Sequence, residues 1–322
     1  MMKLSKTREL LKDKFLECLN EEKIIWERGW NIVKCHNAVS NYTYKGINQF
    51  ILQIMAQINN YHDPRWVTFN QVKDNGWKLV DAKGKGIPVE FWQMYDTIEK
   101  KAVSQQEAIE IRENDSEHPD RIKVINKTYY VFNASLVEGI PPYSLEKNWN
   151  DSNKYDVAKT VLNNYLNSEQ ITISYNGNRA YYDCLNDSIT LPKSQQFITE
   201  EDFMATLAHE IAHSTGHSKR LNRNLEGVFG SVNYAKEELR AEIASSFIVS
   251  ELGIENNIRN CKAYIQSWIQ IIEDKPSELF KAIHEAEMAT DYVFEKGDLE
   301  FVLNNLTENS NDLKSINEME MV

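Results

Sequence analysis

The residues best suited to chemistry in this 322-residue chain are His209, Glu210 and His213, in the pattern H-E-x-x-H. A four-residue spacing on a helix stacks two imidazoles on one face, close enough to reach one metal ion. Glu210 is offset from the pair and is placed to hold a water at the metal as general base. The spacing predicts a helix here. Thr199 offers an N-cap, Glu200, Glu201 and Asp202 favour the first turn, and Phe203, Leu207 and Ile211 recur as an apolar stripe on another face. The competing reading is two histidines and a glutamate on an amphipathic helix with no metal; the N-cap and the independent apolar stripe are the context that favours the metal site over it.

A zinc site of this kind needs a third protein ligand and an open position. A histidine six residues beyond His213 would serve, but Lys219 stands there. His217 continues the four-residue series, yet it follows Gly216, where the helix is expected to end, and reads better as a local structural histidine. The stronger candidate is Glu238, in a helix over 234–247 with Leu239, Ile243 and Phe247 as its stripe. Glu238 and Glu242 are four apart and would repel unless a cation lies beside them. Glu238 would ligate, and Glu242, one turn on, would accept the N–H of a metal histidine. Ala241, Ala244, Ser245 and Ser246 are small enough to let two helices approach closely. The alternative is a solvated charged face that also carries Lys236 and Arg240.

The elements that position these groups divide into two domains. The fold class expected is α+β: a first domain of helices and strands over 1–150, a mainly helical second domain with a small sheet over 151–305, and a flexible acidic tail over 306–322. An opening amphipathic helix, a helix in FILQIMAQI, and strands at RWVTF, PVEFW and TYYVFN make up the first domain. The polar run 104–121 reads as an excursion between strands. Gly139, Pro141, Pro142 and the polar run after them mark the boundary. A helix over 155–167 and three short strands then lead into helices from Thr199 to about 305.

Composition narrows the class further. With 42% hydrophobic and 26% charged residues the chain should fold, and its length suits two cores. Cys18, Cys35, Cys184 and Cys261 are far apart, with no C-x-x-C pair, which suits a reducing cytoplasm. Neither a secretory signal nor a membrane-spanning run is evident, so a cytoplasmic protein with no membrane partner is expected. Net charge is −12 but uneven: the first hundred residues hold 15 Lys and Arg against 12 Asp and Glu, and the remainder carries −15. Only the first part could face a polyanion.

TLAHEIAHSTGHSKRLNR and FGSVNYAKEELRAEIASSF, together with the earlier YKGIN, DPRWVTFNQVKDNGWKLVDAKGKGIPVEFW and YYVFNASLVEGIPP, resemble ArdC-type antirestriction proteins over most of residues 20–305. The resemblance implies an N-terminal single-stranded-DNA-binding domain and a C-terminal zincin-like metallopeptidase domain. It also implies protection of a mobile element's incoming DNA from host restriction. The family's H-E-x-x-H lands on His209, Glu210 and His213, and its E-L-x-A-E segment on Glu238 to Glu242. Ser214 stands where a tryptophan is common in the family, outside the ligand set.

In the first domain, Trp66 and Phe69 could stack on bases, while Arg65, Lys73, Lys83 and Lys85 could meet phosphates; the alternative is that the tryptophans are simply core. The expected partners are single-stranded DNA and a protein substrate, either a restriction enzyme or another DNA-bound protein. The expected cofactor is zinc, with manganese or another divalent ion able to use the same ligands. A competing function is a non-enzymatic DNA shield whose metal site is structural or vestigial. A third is an accessory role in plasmid priming, which the absence of primase motifs disfavours.

Overall fold

The computed structural model describes residues 4–21, 34–143, 154–225, 227, 230–254 and 264–304. It divides into two compact units, Met1–Asp13 with Cys35–Pro142, and Lys14–Lys34 with Tyr143–Val322. The division after residue 142 falls eight positions before the expected boundary, and the second unit also includes 14–34. The expected tail, 306–322, lies outside the described residues, as does Cys261.

The first unit is built on a five-stranded sheet of order β1-β2-β6-β4-β5. Its strands are β1 (His36–Asn37), β2 (Arg65–Thr68), β4 (Ile87–Asp96), β5 (Lys101–Val103) and β6 (Ile122–Asn133). β4 and β6 form a long antiparallel ribbon with Ile87 opposite Val131 and Asp96 opposite Ile122. A second pair, β3 (Lys78–Leu79) and β7 (Val137–Glu138), is antiparallel. The helix α2 (Gly46–Ile58) buries Phe50, Ile51, Leu52 and Ile54. Each such side chain removed from water contributes about 1.5–3 kcal/mol. Asn48 ties α2 to β4 through hydrogen bonds to both backbone groups of Glu90.

Two short helices punctuate the strands. α3 (Phe69–Asp74) starts directly from β2 through a capping box between Thr68 and Gln71. α4 (Gln105–Asn114) occupies the run expected to be an irregular excursion, again with a capping box, here Ser104 with Glu107. It buries only Ala108, so it has no apolar stripe to announce it. The opening helix, α1 (Lys6–Asn20), forms as expected.

The second unit packs α5 (Lys154–Ser168) and the helices α6 (Glu200–Ser214), α7 (Val232–Glu251), α8 (Ile265–Asp274) and α9 (Ser277–Lys296) with a three-stranded sheet. The sheet order is β8-β10-β9, from β8 (Thr172–Tyr175), β9 (Tyr181–Asp183) and β10 (Ser188–Leu191). Its core draws Val161 and Leu162 from α5, Ile189 and Leu191 from β10, Met204 and Ile211 from α6, and Val293 from α9. Gly297, at the end of α9, touches α5 so closely that a Cβ would lie 2.6 Å from the carbonyl oxygen of Val161. α7 is central and buries polar as well as apolar residues, including Glu237, Glu238, Glu242, Ser245 and Ser246. No helix among the described residues is long and apolar enough to cross a membrane.

Candidate metal centre

α6 begins as expected, with the Thr199 hydroxyl accepting the N–H of Asp202 at 3.1 Å. Met204, Leu207, Ala208 and Ile211 hold one side of it in the core. That anchoring turns His209 and His213 toward α7, and their Nε2 atoms lie 3.1 Å apart. Glu238 Oε2 is 3.6 Å from His209 Nε2, and Oε1 is 3.5 Å from His213 Nε2. Ligand atoms about 2.1 Å from a shared tetrahedral zinc sit roughly 3.4 Å apart. The observed separations bracket that value, and these three residues form the metal-competent group among the described residues.

The surroundings also fit a cation. Two imidazole nitrogens aimed at each other at this distance must share a proton or a metal ion. Burial disfavours protonation of both rings, yet Glu238 and the neighbouring carboxylates prevail and raise both histidines, His213 to about 10. Burial also pushes against charge on Glu238, but the two histidines hold its carboxyl far below the usual range. The cluster thus stabilises positive charge at the point where the three side chains converge. Two imidazoles and a carboxylate suit zinc and accommodate manganese.

An outer carboxylate faces each ring. Glu242 Oε1 lies 3.8 Å from His209 Nδ1, while that Nδ1 and Glu242 Oε2 are buried with no hydrogen-bond partner. Burial raises Glu242 to about 7. Glu237, which the sequence reading passed over, lies behind the other ring, its Oε1 3.4 Å from His213 Nδ1. Arg223 fixes Glu237 by donating Nη2 to Oε1 at 2.7 Å, and it also bonds Thr215 Oγ1 and the Ala212 carbonyl. The Glu237–Glu238 doublet is the one signal in the sequence that could have pointed to this clamp. The acids of α7 are therefore buried partners of the histidines and not a solvated face.

Glu210 is buried, and burial raises its carboxyl, with Glu238 adding to the effect against both histidines and a backbone hydrogen bond from Tyr182. It shares with His209, His213 and Glu238 a cleft of about 740 Å³, also walled by Tyr181, Phe197 and Ile198. His217 is outside the ligand group: its Nδ1 accepts the N–H of Lys219 at 3.2 Å and faces Asp187 at 4.0 Å. Ser214 is buried and meets Tyr165, Oγ to hydroxyl, at 2.9 Å. A tryptophan could not occupy that place without moving Tyr165.

The expected DNA contacts separate into two groups. Trp66 is not a stacking platform: it lies in β2 with no exposed surface, its ring edge-on to Tyr61. Arg65 is not a free cation: Asp63 binds its guanidinium through Nε at 3.0 Å and Nη2 at 2.7 Å, and the Pro141 carbonyl accepts from Nη2 at 2.9 Å. Phe69, by contrast, is 60% exposed, and Lys73, Lys83 and Lys85 are exposed as well.

Comparison with known proteins divides the chain in the same way. Residues 5–132 match the family model described as the N-terminal domain of anti-restriction factor ArdC, and residues 160–285 match the zincin-like metallopeptidase model. Two proteins named DNA primase TraC, both from Escherichia coli, are 35% and 33% identical over 88% of this chain. The chain spans only 20% and 27% of their lengths. Uncharacterized protein y4eC of Sinorhizobium fredii (strain NBRC 101917 / NGR234) is 29% identical, with 80% of each chain covered. The metal-free crystal structure of the antirestriction ArdC protein from plasmid R388 superposes with a TM-score of 0.67 at 25% identity, covering 92% of this chain and 98% of that one. The Mn(II)-bound crystal structure of the same protein gives 0.68 at 24% identity and supports the shared fold.

Proposed function

We propose that this chain, which belongs to the ArdC-type antirestriction family, binds single-stranded DNA through its first unit and hydrolyses a peptide bond with its second, protecting a mobile element's DNA from restriction. The observation that carries the hydrolytic reading is the convergence of His209 Nε2, His213 Nε2 and a Glu238 oxygen on one point, beside Glu210 in an open cleft.

His209, His213 and Glu238 would hold the divalent ion, zinc by ligand chemistry, with manganese an alternative that the R388 relative's Mn(II)-bound structure supports. When bound, such an ion polarises a carbonyl and acidifies a water. Glu242 and Glu237 orient the two rings so that both Nε2 atoms face inward. Glu210 receives the proton of the attacking water and passes it to the leaving amine. Its raised affinity for a proton suits both transfers, because a carboxylate of ordinary acidity is a poor base near neutral pH. The substrate is a protein that meets the chain on DNA, a restriction enzyme being the case the antirestriction role calls for.

The test is Glu210→Gln, which is close in shape and removes the base. Metal content should be unchanged, and cleavage of a restriction enzyme mixed with DNA and the protein should fall by about 100-fold or more. Cleavage at the wild-type rate by the metal-loaded variant would refute the mechanism. Protection of DNA that persists in folded Glu210→Gln without cleavage would favour a non-enzymatic shield.

A further inference from the structure

The first unit contains a groove of about 550 Å³ that the metal chemistry does not use. We propose that this groove seats one unstacked base of single-stranded DNA between Phe69, Tyr130 and Phe132, with Lys83 on the adjoining phosphate. The inference rests on the single-stranded-DNA reading above and assigns that function a place.

Three distant stretches of chain build the groove. Phe69 opens α3, where the Thr68–Gln71 capping box fixes the backbone, so its ring is presented from a rigid position although 60% exposed. Tyr130 and Phe132 are two apart on β6 and therefore share one face of the strand. Tyr130 is 44% exposed. The loop 82–86 closes the remaining side. At Gly86 a Cβ would come within 3.0 Å of Phe132 Cζ, so the backbone itself runs against the ring and no side chain fills the space. Gly84 has φ +75°, a left-handed turn that glycine adopts without strain.

The charge pattern selects the occupant. The groove is lined by aromatic and aliphatic side chains with Lys83, and no carboxylate lines it. Lys83 and its neighbour Lys85 have no ion-pair partner among the described residues. An apolar peptide would fill the rings but leave the ammonium groups unused, whereas a nucleotide supplies a flat π-face and an anion side by side. The stacking role expected of Trp66 thus falls to Tyr130 and Phe132, some 65 positions further along the chain.

The experiment measures binding of a fluorescein-labelled oligo-dT by anisotropy, using the full chain and its variants Phe69→Ala, Tyr130→Leu and Lys83→Gln, each checked for folding by circular dichroism. Loss of one stacking ring should weaken binding about tenfold. Lys83→Gln should lower the slope of log affinity against log salt by about 0.7. With an oligonucleotide of abasic sites, the Phe69→Ala deficit should vanish. Binding by the wild type that none of the three variants changes would overturn the groove while leaving DNA binding intact. A wild type that binds no single strand would overturn both. A deficit seen with a labelled oligo-rU of the same length but absent with oligo-dT would overturn the assignment to DNA.

Discussion

The two units present their chemistry in opposite ways. At the metal centre the polar side chains are buried or nearly so and face one another: Arg223 fixes Glu237, Glu237 faces His213, and Glu242 lies beside His209. On the first unit Phe69, Tyr130 and the lysines that could meet a ligand are exposed, and the groove rests on backbone devices, a capping box at Thr68 and a glycine turn at 84. A hydrolytic site needs fixed geometry, because catalysis depends on donors and acceptors already in place. A surface that accepts any single strand needs rings and charges but no exact register. The difference implies that substitutions in the second unit act steeply and together, whereas those in the first act singly and modestly.

The steepest expected effect is loss of hydrolysis in Glu210→Gln. Next in size is Trp66→Ala. Because Trp66 is fully buried in β2, its truncation should destabilise the first unit by about 3–5 kcal/mol in a denaturant titration. Phe69→Ala, three residues away and exposed, should fall within about 0.5 kcal/mol of wild type. Equal stability losses at the two positions would remove the distinction between core ring and binding ring.

Smaller, and diagnostic of the clamp, is Glu237→Gln. Metal affinity measured by chelator competition should weaken about 10–100-fold although Glu237 is not a ligand. Unchanged affinity would show that His213 needs no partner at Nδ1. Acidity gives a graded counterpart. His213 is raised to about 10 in the metal-free protein, so a proton holds the site at neutral pH and must leave as metal enters. Affinity should strengthen as pH rises toward that value and uptake should release protons, which a weakly buffered titration reads directly. An affinity independent of pH would contradict the competition.

The contrast also explains what was legible in the sequence. The candidate metal site lies on two helices with residues at four-residue spacing, and helical periodicity exposes such sets directly, so His209, His213, Glu238 and Glu242 could be brought together on paper. Arg223 could not, because it sits in the irregular stretch after α6, where no periodicity says which way a side chain turns. Trp66 misled for a different reason. β2 lies between β1 and β6, and Trp66 and Val67 are adjacent yet both fully buried, so the strand lacks the alternation that separates an inner from an outer face. α4 carried a legible signal in Ser104 and Glu107, but a helix that buries one alanine resembles a polar loop. The two-unit α+β architecture was legible from punctuation at Gly139, Pro141 and Pro142.

The central claim is that α6 and α7 together build one site for a divalent ion. Metal content of the purified protein, measured by inductively coupled plasma mass spectrometry for wild type, His209→Ala and Glu238→Ala with folding checked on each, tests it most directly. About one zinc or manganese per chain in the wild type after metal loading, lost in both variants, is the expected result. A folded wild type that takes up neither ion, or a Glu238→Ala variant that keeps the wild-type content and affinity, would contradict it.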